Sequence, residues 1–61
     1  MHPATTQQSE AFEIAQEIDQ DGEGLTGWEI NFIADVIKGH PRDISEKMIT
    51  IIEGIYQERV Q

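Results

Sequence analysis

The chain reads as an all-α protein, a small three-helix domain in which the last two helices form an antiparallel hairpin and the first packs across it. Three observations carry that reading. Apolar residues recur at the i, i+3, i+4, i+7 spacing of a helical face in three separate stretches. Thr26, followed three residues later by Glu29, forms a capping box, in which hydroxyl and carboxylate each satisfy an otherwise orphaned backbone N–H. Short connectors holding Gly, Asp and Pro separate the stretches, and the second has the length that joins antiparallel neighbours. The helices fall near residues 9–20, 26–39 and 45–60, giving one domain over 9–61 behind a flexible N-terminus, 1–8.

Residues 1–8 are polar, contain Pro3 and show no periodicity, which marks a frayed terminus. Ser9 is the expected N-cap of the first helix, whose face is Ala11, Ile14, Ala15 and Ile18, with Phe12 at its margin. Acids continue to the C-terminal end, where Asp19 and Asp21 oppose the helix dipole, so that end should fray. The connector that follows holds Gly22 and Gly24, both able to take positive φ.

The second helix is expected to be the element around which the others are organised. Leu25 before the cap and Ile30 within the helix can close a hydrophobic staple. Ile30, Ile33, Ala34 and Ile37 form one apolar row, and Trp28, Phe32 and Val36 form a second beside it. Gly39 marks the end as a left-handed C′ residue, with Lys38 favouring the dipole and Pro41 blocking continuation.

The third helix uses the same grammar. Ile44 precedes Ser45 as N-cap, preferred over Asp43, and Ile49 is placed to complete a staple. Met48, Ile49, Ile51, Ile52, Ile55, Tyr56 and Val60 supply a broad apolar surface, interrupted by Gly54, which a close helix crossing would explain. At an offset of nineteen residues the second and third helices correspond (Leu25/Ile44, Thr26/Ser45, Ile33/Ile52), as any two capped, stapled helices would.

Composition narrows the function classes. At 61 residues, folding buries only about 60% of the surface an unfolded chain exposes, so help from a partner is expected. The absence of cysteine removes disulfides, thiolate catalysis and cysteine-based zinc sites, and favours an intracellular, cytoplasmic setting. No signal-like segment and no run of about 18 apolar residues appears, so neither secretion nor membrane insertion is expected. Twelve acidic residues against four basic ones give a net charge of −8, which disfavours binding to duplex nucleic acid or anionic lipid. The asymmetry is internal as well: residues 1–29 carry seven carboxylates and no lysine or arginine.

The segment from Leu25 to Val60, with L-T-x-W-E-x-x-F-I, a linker holding Pro41-Arg42, then I-S-E-K-M and Ile55-Tyr56 before Arg59, resembles a helical segment of small phage and prophage proteins and of some bacterial replication-associated proteins. There the usual pattern is L-S-x-K-Q, and Met48 stands here in place of the glutamine. The resemblance implies a helical hairpin, phage or prophage origin and an accessory role; it implies no catalytic residues.

Three motifs remain to be weighed. Asp19, Asp21, Glu23 and Gly24 match positions 1, 3, 5 and 6 of an EF-hand loop, but Glu29 falls at position 11 where the bidentate ligand belongs at 12; a calcium site on Asp19, Asp21, Glu23 and Glu29 is the weaker reading beside a plain acidic loop. Glu10, Glu13 and Glu17 line one face of the first helix, either as a solvated face or as an imitation of a phosphate run. His2 and His40 are far apart in sequence, no serine, threonine or lysine has a histidine at helical spacing as its base, and no phosphate loop is present, so neither an enzyme nor a cofactor is expected. So small a chain is also not expected to enclose a ligand pocket of a few hundred Å³.

The reading is therefore a small acidic intracellular protein-interaction factor. Trp28, Phe32 and Tyr56 serve the core, an interface, or both. The interface is placed on Trp28, Phe32, Val36, Ile51 and Ile55, which exceed what a three-helix core needs, and its occupant is a protein partner or a second copy of the chain. A degenerate EF-hand calcium module and a nucleic-acid mimic are the alternatives.

Overall fold

Thr5, not Ser9, starts the first helix. In the computed structural model, which describes residues 3–59, the Thr5 hydroxyl accepts from the Gln8 amide at 3.1 Å and the Gln8 side chain accepts from the Thr5 amide at 2.9 Å. This is a capping box with glutamine in the reciprocal position. Helix α1 then runs Thr6–Asp21, α2 Gly27–Lys38 and α3 Glu46–Arg59, with a 3₁₀ turn at Pro41–Asp43. Residues 6–8, assigned to the N-terminal segment from the sequence, thus belong to α1, and Gln8 also donates to the carbonyls of Ile44 at 2.8 Å and Arg42 at 3.1 Å, tying the start of α1 to the start of α3. The readings made for His2 and Val60 lie outside the described residues.

The fold is all-α, but its centre is α1 instead of α2. Ala11, Ala15 and Ile18 of α1 are fully buried and meet Ile33 and Val36 of α2, Ile44, and Ile52 and Ile55 of α3 in one cluster. Helix α1 packs against α2, against α3 and against the 3₁₀ turn, while direct backbone contact between α2 and α3 is slight. The physical reason is size: two alanines on the buried line of α1 let a neighbour approach on each side. The packing expected from an α2–α3 hairpin is thus supplied largely through α1.

Several expectations change with this arrangement. The buried line of α2 is Glu29, Ile33 and Val36, rotated from the expected Ile30 row; Ile30 is 54% exposed, and Leu25 packs against the core. Val36 and Ile55, assigned to an interface from the sequence, are core residues, 3% and 4% exposed. Gly39 ends α2 in an extended conformation, not a left-handed one. The end of α1 holds helical geometry through Asp21, and its cap, Gly22, is needed for closeness: a Cβ there would lie 2.6 Å from the Ile18 carbonyl oxygen. Gly24 alone of the connector pair takes positive φ, at 70°.

Ser45 does cap α3, its hydroxyl accepting from the Met48 amide at 3.2 Å. Asp43 instead serves its own turn, accepting from the His40 amide. Met48 occupies the reciprocal place of the box, its sulfur 3.5 Å from the Ser45 amide, where a thioether is only a weak acceptor.

Gly54 marks no close crossing, because a Cβ built on it meets nothing within 4 Å. Gly54→Ala is therefore expected to stabilise the protein by about 1 kcal/mol, the helix-interior difference between the two residues. A rise in the urea midpoint at unchanged slope checks this; no rise would mean that something packs over this face.

Candidate functional site

Two surfaces and one internal link stand out. The first surface is a flank of α2. At 100° per residue, Trp28 and Phe32 lie to one side of the buried Glu29–Ile33–Val36 line, and Ile30 and Ile37 lie to the other. Trp28 is 59% exposed, while Phe32 is half-buried against the core. Their rings are 6.4 Å apart and tilted by 58°, within the range of favourable aromatic pairs. Phe32, seated on the core, thus orients a tryptophan that faces solvent. Exposed Ile30 belongs to the opposite flank, so the two do not form one continuous patch.

Of the interface set read from the sequence, the structure leaves Trp28 exposed, Phe32 and Ile51 half-buried, and Val36 and Ile55 inside. Tyr56 is half-buried against the core.

The second surface was not legible in the sequence. An open groove of about 390 Å³ runs between the N-terminal halves of α1 and α3. Ala11, Ile14 and Ile49 supply its apolar part, and Glu10, Glu46 and Glu53 stand along its sides. It reaches the few hundred Å³ held unattainable for so small a chain because it is open, not enclosed. Its two walls come from segments more than thirty residues apart, and only the pairing of α1 with α3 brings them together.

The internal link is Glu29. Its side chain is 5% exposed, and one carboxylate oxygen accepts from the Thr26 amide at 2.8 Å and the Thr26 hydroxyl at 3.0 Å while lying 3.3 Å from Arg59 Nη2. The Glu23 amide donates to the Arg59 carbonyl at 3.4 Å, so the connector, the start of α2 and the end of α3 meet here. The Thr26 amide, above all, holds the Glu29 carboxyl below the usual glutamate range; burial opposes it, and the Thr26 hydroxyl and the Arg59 guanidinium add to the lowering.

This use of Glu29 bears on the calcium reading. Asp19 and Asp21 lie in the last turn of α1, Glu23 is exposed in the connector, and Glu29 is turned to Thr26 and Arg59. The four are not brought into one loop, and among the described residues no three His, Asp or Glu side chains converge as a metal site.

Comparison with known protein families, curated proteins and solved structures finds no match. Among the described residues no helix is long and apolar enough to cross a membrane. What the surfaces can do chemically is bind: one offers an aromatic anchor, the other an apolar floor between carboxylates.

Proposed function

We propose that this chain is a small acidic protein-interaction factor acting in the cytoplasm, of phage or prophage origin as the resemblance of its Leu25–Val60 segment suggests, with the Trp28 flank of α2 as its main contact surface. The observation that supports it is the exposure of Trp28 on a helix whose start is fixed by a capping box. A tryptophan held in place by a half-buried neighbour, Phe32, binds with little loss of side-chain freedom, and tryptophans are prominent among the residues that dominate interface energetics. The reading involves no catalysis, cofactor or membrane.

The protein as bait in a host lysate is expected to retain a partner at high salt and to lose it on Trp28→Ser, with the melting temperature unchanged because Trp28 is exposed. Sedimentation equilibrium run beside it distinguishes a second copy from a different partner. A strict monomer at near-millimolar concentration, together with retention of every captured protein by Trp28→Ser, would sink the reading. Glu10, Glu13 and Glu17 are all exposed on one strip of α1, which favours nucleic-acid mimicry as the second reading. Binding that collapses with salt and ignores Trp28→Ser would put that reading first.

A further inference from the structure

We infer that the α1–α3 groove is a docking site for a basic amphipathic helix of a partner protein, separate from the Trp28 flank. The argument starts from the spacing of its walls. Gln7, Ala11 and Ile14 on α1, with Glu10 beside them, and Glu46, Ile49 and Glu53 on α3 recur at intervals of three and four, so two helical faces are turned toward one trough. Seven residues of helix span about 10 Å, close to two turns of an incoming helix.

The chemistry of the walls selects the occupant. Ile14 and Ile49 are half-buried, each leaving part of its side chain unpacked, and Ala11 between them leaves depth. That floor takes one or two large apolar side chains one turn apart. Glu10, Glu46 and Glu53 flank it, no lysine or arginine lines it, and among the described residues the salt bridge present is the distant Arg59–Glu29 pair. A helix with an apolar stripe bordered by lysines and arginines places its cations against these carboxylates, the helix-in-groove mode of recognition. The net charge of −8 adds long-range attraction for such a segment.

Other occupants fit less well. A phosphate-run mimic needs carboxylates on a convex face and has no use for an apolar floor. A single metal ion needs them converged, and among the described residues they are not. Spread carboxylates around an apolar trough match spread cations around an apolar stripe.

The test titrates the intact, isotopically labelled protein with three synthetic helical peptides of roughly three turns each. One carries a leucine stripe bordered by Lys and Arg, one has the same composition scrambled to destroy the stripe, and one has the basic residues replaced by Glu. The first is expected to give saturating amide shifts centred on Glu10, Ile14, Ile49 and Glu53. The Glu10→Gln/Glu53→Gln variant, altered only at exposed positions, is expected to bind it about tenfold more weakly. Trp28→Ser should leave this affinity unchanged, whatever becomes of the partner captured through the α2 flank, so the two proposals fail separately. Equal binding of the scrambled peptide, shifts centred on Trp28, absence of saturation at millimolar peptide, or indifference to the double variant would each overturn the groove assignment.

Discussion

Ile18→Ala is expected to lower the unfolding free energy by about 2–5 kcal/mol, the range for truncating a large buried aliphatic side chain. Ile18 is completely buried, and it belongs to the core cluster on α1, the helix against which both others pack. At roughly 0.05–0.15 kcal/mol per residue, a chain of this length has only about 3–9 kcal/mol to lose, so the variant is expected to sit near the edge of folding at 25 °C. Urea unfolding followed by helical circular dichroism measures it, beside Ile18→Val, for which the expected loss is about 0.5–1.5 kcal/mol. A loss below about 1 kcal/mol for the alanine variant would mean that α1 is not the centre of the fold.

The position of α1 shows where sequence reasoning works and where it stops. The Thr26–Glu29 box was legible because threonine and glutamate stand at the standard spacing beside an apolar run. Thr5–Gln8 is the same device, hidden in a polar segment that looked like a tail. The most apolar helix, α2, looked central, yet the crowded position belongs to the helix with alanines on its buried line, and alanine gives a weak hydrophobic signal. Small size, more than hydrophobicity, qualifies a helix to be approached from two sides.

The rotation of α2 has a related cause. The spacing of Ile30, Ile33, Ala34 and Ile37 favours a core row through Ile30 and leaves Val36 in a second row beside it, while Glu29 counts only as half of the capping box. Its carboxylate is instead satisfied internally by Thr26 and Arg59, and the buried line passes through it. Arg59 stands thirty residues away, and no local pattern announces the pair. The groove was illegible for the same reason: periodicity gives the faces of α1 and α3 but not which faces meet. Trp28 could be recognised as a candidate contact because aromatic identity is local, while its exposure was not.

The Glu29–Arg59 link yields the second large effect. Thr26→Ala removes the hydroxyl half of the cap and should cost about 1 kcal/mol, or about 4–8 °C in melting temperature for a domain of this size. Glu29→Ala removes the reciprocal half of the box and the partner of Arg59 together, so its melting temperature is expected to fall further than that of Thr26→Ala. Glu29→Gln separates the contributions: like Gln8 in the first helix, it can still accept from the cap amide, but it carries no charge for Arg59. The pH dependence follows from the direction of the shift. Glu29 is lowered below its ordinary 4.5 in the folded protein, so the stability it contributes is fully present above that value and is lost as pH falls through the lower folded value. The difference in melting temperature between the native chain and Glu29→Gln should therefore be constant near neutrality and close on acidification below about pH 4.5. Scanning calorimetry of both proteins from neutral pH downward is the measurement. A difference that persists undiminished in acid would show that the carboxylate charge contributes nothing, and that Arg59 meets Glu29 without stabilising the junction of the three helices.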